Sequence, residues 1–496
     1  MNIKENRQSF AQGAVILMVS TMLAKIIGAI FKIPLSNLLG DGGFGYFSFA
    51  YDLFAPLYML STVGFPVAAA KLFSDNENLS ISTVKKAFLK LSLVFFAVFF
   101  IGSFFISLKS GDLKSFCCYA AISPSIIFCG VMSVYRGYFE GRENMLPVAI
   151  SDVILALGKL FLGLSFTLLA FKISDKSYFA AAAAVFGVTL GCAASEIYLY
   201  LRIKKSVLFP SVSQSTLNTK QILKTTIPIA AAALAGSMTN IIDSFTVKTM
   251  LGSRISPDLL NPMYGVRSKA YTIFGFVISF VSVIGISAVS SIVKKRDNGN
   301  NKNTVKSVMN LSAVISVPAG LGMAVLSGPI MNLLFSGEYT KLYGGEMLFA
   351  YGIAAVFAGL CIPLITVMQS YSFEIAALSA VAFGAAVKLV LNIILFSVST
   401  LGVKACAYTT AAAYFLMLVF LLLFLILKKV LNFKMLLIYL LPVFPSAVSV
   451  SAAFFTANIK SGSLIFTALA VLFAAVSYFA LVLLFRIIDL KELKKS

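Results

Sequence analysis

The 496-residue sequence contains no histidine. That removes imidazole acid–base chemistry, histidine proton relays and histidine-ligated zinc. Charge is scarce as well: Asp, Glu, Lys and Arg make up 12% of the chain, where soluble proteins average about a quarter. A water-soluble globule is excluded. Acidic residues are the scarcer sign, 19 against 40 basic. No DxxD or DxD occurs, so the paired carboxylates that hold magnesium in prenyl-phosphate transferases are missing. Cysteine is sparse and lacks a CxxC pair; Cys117, Cys118, Cys129, Cys192, Cys361 and Cys406 all sit in or beside apolar runs. They read as small packing residues, not as a disulfide framework or a metal site.

What remains is apolar: 59% of the residues. Fourteen runs of spanning length lie at 12–35, 46–70, 87–108, 115–138, 146–171, 178–201, 225–248, 266–293, 308–335, 346–371, 376–398, 402–427, 435–457 and 462–486. A helical span needs about 20 mostly apolar residues, and these runs are too long and too continuously apolar for barrel strands. The fold class is therefore all-α: a polytopic membrane protein of about 14 transmembrane helices. The stretch after Lys4 and Arg7 reads as a retained first span, since Lys25 and Lys32 interrupt it and a small-residue cleavage site is lacking. With both termini placed in the cytoplasm, 25 basic residues fall on the inner side and 11 on the outer, the bias that sets orientation. The expected location is the plasma membrane, multi-pass. The segments between spans leave no room for a catalytic domain, so the chain does not read as an enzyme. A net charge of +21 suits anionic lipid or an anionic substrate and not nucleic acid.

The sequence echoes itself. Leu39-Gly40, Tyr46, Ala50-Tyr51, Phe54, Gly64 and Lys71 are answered by Leu251-Gly252, Tyr264, Ala270-Tyr271, Phe274, Gly285 and Lys294. Lys159-Leu160 is answered by Lys388-Leu389. Spans 1–6 thus match spans 7–12, which divides the chain into an N-terminal lobe (1–224), a C-terminal lobe (225–430) and two further spans with a basic tail (431–496). Six spans per lobe give both lobes the same orientation, a pseudo-symmetry in which transporters bind substrate at the midplane.

A charged residue at bilayer depth costs about 2.5–3.5 kcal/mol on insertion scales. Lys25, Lys159 and Lys388 lie near the middles of spans one, five and eleven. Lys32 follows Lys25 by seven residues, on the same helical face. Arg267 and Lys269 stand at the mouth of span eight, with Asp52 and Asp243 on spans two and seven. Two readings stand: ion pairs that lock helices, such as Lys32 with Asp52, or a cationic cavity in which Lys25, Lys32, Lys159, Arg267, Lys269 and Lys388 bind an anionic head group. Asp52 and Asp243 are then the candidates for ion coupling. Pro34, Pro56, Pro66, Pro124, Pro228, Pro318 and Pro363 fall inside spans and are expected to kink them.

The stretches AKIIGAIFKIPLSNLLGDGGFGYFSFAYDLF (24–54), YRGYFEGRENMLPVAISD (135–152) and VKLVLN (387–392) resemble the polysaccharide-exporter superfamily, within it the branch of stage V sporulation protein B and MurJ-like lipid II flippases. The resemblance covers essentially the whole chain. It implies two lobes with alternating access and the flipping of undecaprenyl-pyrophosphate-linked sugars across the bacterial plasma membrane, for cell-wall, spore-cortex or polysaccharide synthesis. It carries first-helix basic residues over to Lys25 and Lys32 and an eighth-helix basic cluster to Arg267 or Lys269. Three features depart from the pattern: residues 57–63 contain no basic residue, lysine stands where arginine is common, and Glu140 stands in place of glutamine. The expected partners are a lipid-linked saccharide, membrane lipid and cell-wall synthesis proteins, with the chain a monomer. No cofactor is expected, and an Na+ or H+ gradient is the candidate energy source. The alternatives are a cation-coupled multidrug antiporter of the same superfamily and a membrane-embedded prenyl-phosphate transferase.

Overall fold

A computed structural model describes residues 10–76, 79–206, 221–222, 226, 238–296, 301–398, 400–459 and 464–485. In lipid a helix satisfies every backbone polar group from within. The described residues form helices joined by short turns, with no strand among them. The first group comprises α1 (Phe10–Met59), α2 (Phe65–Asp75), α3 (Ile81–Lys109), α4 (Lys114–Ile122), α5 (Pro124–Gly141), α6 (Leu146–Ile173) and α7 (Ser177–Ser206). Then come α8 (Met238–Thr246), α9 (Pro257–Arg296), α10 (Asn301–Val325), α11 (Ser327–Leu334) and α12 (Glu338–Ser370). The chain closes with α13 (Glu374–Val398), α14 (Ala405–Leu427), α15 (Val443–Ile459) and α16 (Leu464–Leu484).

Eleven stretches of the described residues are long and apolar enough to cross a bilayer. The first, Val15–Asp75, holds two of the fourteen expected runs. Run 266–293 falls within α9, and run 225–248 lies largely outside the described residues. The division of α1 is made by a single residue. Gly40 has φ 67° and ψ −179° inside an otherwise helical segment, a conformation nearly confined to glycine. It folds α1 into two arms that lie side by side, so that Phe31 meets Phe47 edge-on at 5.9 Å.

The prolines divide into two kinds. Pro34, Pro56, Pro318 and Pro363 lie inside helices, as expected. Pro66 and Pro124 also lie within spanning stretches, in the first turns of α2 and α5, where each helix continues a preceding one through a residue, Gly64 or Ser123, that keeps helical dihedrals. A π-helical stretch, Leu60–Gly64, precedes Pro66. Pro228 lies outside the described residues.

The chain forms two compact units, Met1–Gly265 and Val266–Ser496. In the first, α6 pairs with α7, α1 packs on both, and α5 packs on α2, α3 and α7. The α6–α7 pair closes on glycines: a Cβ on Gly187 would lie 2.4 Å from the Gly163 nitrogen, and one on Gly158 2.7 Å from the Gly191 Cα. Small residues at such crossings let two membrane helices approach closely. In the second unit α10, α12, α13 and α14 share a core that includes Met309, Val317, Leu364, Met368, Ala380 and Leu421. The α15–α16 pair packs against α10, where the Tyr478 hydroxyl donates to the Val314 carbonyl at 2.8 Å.

Candidate functional site

In the first unit the two arms of α1 and the middle of α6 bring two buried-span lysines to one tyrosine. Tyr51 lies on the second arm, and Lys32 of the first arm holds its ammonium 5.2 Å from the centre of that ring. Lys159 of α6 donates to the Tyr51 hydroxyl at 3.2 Å and sits 5.6 Å from the same ring and 4.6 Å from the ring of Tyr58. Tyr51 and Tyr58 are seven residues apart and so share a helix face. Behind Tyr51 the ring of Phe47 stacks at 5.6 Å. Aromatic faces attract cations more strongly where water is excluded, which is how two ammonium groups are accommodated at membrane depth. Lys25, two turns before Lys32, is exposed on the first arm. Lys25, Lys32 and Lys159 thus lie in one unit, with Tyr51 joining the last two.

The two candidate coupling carboxylates are buried. Asp52 accepts a hydrogen bond from the Tyr264 hydroxyl at 2.8 Å, so its contact is with the start of α9, while Lys32 turns to Tyr51. Asp243 lies in α8.

In the second unit the three basic candidates have different partners. Arg267 is fully buried and lies 4.7 Å over the ring of Tyr271, one turn along α9. Lys269 donates to the Ser336 carbonyl at 2.8 Å and to the Thr340 hydroxyl at 3.1 Å. Lys388 of α13 is buried and donates to Thr410 of α14 at 2.9 Å. Tyr51 and Tyr271, matched in the internal repeat, each carry a cation over the ring. Lys159 and Lys388, matched likewise, differ in partner: a tyrosine in one case, a threonine in the other.

Two buried basic groups among the described residues escaped the sequence. Arg136, in the YRGYFEG block, pairs with Asp152 of α6 at 2.7 Å. Lys248, in the π-helical stretch Val247–Leu251, is buried and pairs with Asp112 at 2.8 Å. Asp112 lies in the turn between α3 and α4, outside the spans. Burial pushes its pKa up, but the Lys248 ammonium, the Ser115 hydroxyl and the Asn261 amide outweigh that and hold the carboxyl below its usual range. Among the described residues no group of His, Cys, Asp and Glu is arranged to hold a metal ion.

A family described as "Polysaccharide biosynthesis protein" matches residues 10–290. In Bacillus subtilis (strain 168) the uncharacterized membrane protein YabM is 27% identical over 420 residues, 81% of this chain and 77% of that protein. The lipid II flippase MurJ of the same organism is 24% identical over 419 residues, 77% of this chain and 76% of MurJ. Its stage V sporulation protein B is 22% identical over 423 residues, 81% and 80% of the two chains. Among solved structures, lipid II flippase MurJ in an inward closed conformation superposes with a TM-score of 0.75 at 15% identity, over 95% of this chain and 99% of the other. An inward-facing multidrug resistance MATE family transporter of the MOP superfamily gives 0.64 at 14% identity, over 82% and 96%.

Proposed function

The chain belongs to the polysaccharide biosynthesis protein family, and on that premise we propose that it is an alternating-access flippase or exporter of an anionic lipid-linked saccharide. The observation that carries the reading is the convergence of Lys32 and Lys159 on Tyr51, with Lys25 exposed two turns away. Mobile ammonium groups match a pyrophosphate, whose charge several of them neutralise together. Lys159 spends one of its three N–H donors on the Tyr51 hydroxyl, which leaves others for a ligand. In the proposed cycle the pyrophosphate–sugar head enters from the cytoplasm and engages Lys25, Lys32 and Lys159. Arg267, Lys269 and Lys388, in the second unit, are proposed as further contacts for the head group during the cycle, and the polyprenyl tail stays in lipid. Membrane potential or an Na+ or H+ gradient supplies the work, about 2.3 kcal/mol per charge per 100 mV, with Asp52 and Asp243 as coupling carboxylates. The lobes of the cycle are 1–224 and 225–430, with 431–496 appended, and both termini are cytoplasmic. The likeness to lipid II flippases in sequence and fold supports this reading.

The test is reconstitution into vesicles carrying undecaprenyl-pyrophosphate-linked sugar in one leaflet, with a lectin or enzyme probe for the other. Lys25→Ala, Lys159→Ala and Lys388→Ala are each expected to slow transfer about tenfold or more, the effect of about 1.4 kcal/mol in a transition state. Transfer at the wild-type rate by folded variants would overturn the role of these lysines. A second reading, a cation-coupled drug antiporter, draws on the MATE likeness and on the two buried carboxylates. It predicts gradient-driven efflux of a cationic dye from the same vesicles, lost in Asp52→Asn or Asp243→Asn.

A further inference from the structure

Residues 238–265, which the internal repeat assigns to the second half of the chain, pack in the first compact unit along the second arm of α1. Asp41, Gly45, Ser48, Phe49 and Asp52 recur there at three- and four-residue steps and form one face. Along this face the two backbones touch. A Cβ on Gly45 would lie 1.9 Å from the Asn261 carbonyl oxygen, and one on Gly265 2.1 Å from the carbonyl oxygen of Asp41. At these two points no side chain separates the backbones.

Polar groups bolt this seam at two places. At one, the Lys248 ammonium donates to Asp112 at 2.8 Å, to Ser115 at 2.9 Å and to Asn261 at 3.2 Å, while the Asn261 amide donates to the same Asp112 oxygen at 3.0 Å. At the other, Tyr264 donates to Asp52 at 2.8 Å. Phe49 lies between the bolts, stacked on Tyr264 at 3.6 Å and 4.4 Å below the Lys248 ammonium. Lys248 spends all three of its N–H donors here.

From this arrangement we infer that the Lys248–Asp112–Asn261 cluster and the Tyr264–Asp52 bond are the latch of a gate, one that opens when 238–265 parts from the second arm of α1. The chemistry of the bolts suits that task. A buried ion pair adds little stability over an apolar packing of the same shape, but it has a second favourable state, because each charge is hydrated once the seam parts. An apolar seam exposed to water has none. The π-helical stretch Val247–Leu251 is the backbone irregularity that marks functional positions in helices, and it carries Lys248. The inference rests on the transporter reading above; in the topology proposed there, the seam lies on the outer side.

The test reads the seam directly, without substrate or vesicle. A cysteine-free variant carrying Ser48→Cys, a position buried on the seam face, is purified in detergent. The rate of its labelling by a membrane-impermeant maleimide is then measured. Asp112→Asn is expected to label about tenfold faster, as removal of one partner of a buried pair leaves the other uncompensated. The reversed pair Asp112→Lys with Lys248→Asp is expected to return the rate towards that of the parent. Tyr264→Phe, which deletes one hydroxyl and retains the stacked ring, covers the case in which Asp112→Asn does not fold; it is expected to label a few-fold faster. Unchanged labelling in a folded Asp112→Asn or in Tyr264→Phe, or a reversed pair as fast as the single variant, would overturn the latch. Failure of the flippase reading looks different: labelling follows the latch while lipid-linked sugar is not transferred.

Discussion

At the scale of the residue, the positions of cost were readable and their partners were not. Lys25, Lys32, Lys159 and Lys388 stand out because a charge in an apolar run is expensive. Tyr51 and Tyr58, which receive Lys159, look like ordinary members of such a run. Lys248 and Asp112 sit at the ends of apolar segments, where a charge draws no notice, and 136 positions separate them. No local period relates residues so far apart. Their pairing has a pH signature. The folded carboxyl of Asp112 is held below its usual range, so the unfolded chain takes up a proton first, near pH 3.9. The stability this group contributes is therefore complete above that pH and drains away as the pH falls through the lower, folded value. Melting temperatures in detergent should show Asp112→Asn losing more at pH 7 than at pH 3, while Lys248→Met, which strands a buried carboxylate, costs about 3–5 kcal/mol at neutral pH. An equal loss at both pH values would contradict the ionised pair.

At the scale of the element, apolar run length located the helices, and most of the breaks were written in glycine and proline. Pro124 was expected to kink a span, and it stands where α4 gives way to α5 inside one spanning stretch, Lys114–Gly141. Gly40 is the sharper case. The segment DGGFG looks like a loop, yet the helix resumes after one residue. Nothing lies within 4 Å of a Cβ built on Gly40, so Gly40→Ala isolates backbone strain from crowding. A residue with a side chain held in that region costs about 1–3 kcal/mol. The expected result is a lower melting temperature with normal labelling of Cys117, the exposed cysteine. A Gly40→Ala protein as stable as the parent would mean that the joint tolerates other geometries.

At the scale of the molecule, the all-helical architecture followed from composition, because lipid leaves so few alternatives. What composition could not supply is which segments associate. The repeat places 238–265 with the second half, yet the structure packs it in the first unit, through contacts that depend on Gly45, Gly265 and Asn261 meeting edge to edge. Orientation is open to a direct check. The basic-residue bias puts the turn at Asp75 inside and the turn at Asp175 outside, and both residues are exposed. In intact cells a membrane-impermeant thiol reagent should reach Asp175→Cys and spare Asp75→Cys in a cysteine-free background; the opposite pattern would invert the topology. The one-residue joint at Gly40 also bears on biosynthesis. The first arm brings two lysines into the bilayer, and the ring that receives Lys32 emerges from the ribosome only 19 residues after it. With no slack between the arms, the second arm follows the first directly and brings the Tyr51 ring to the Lys32 charge.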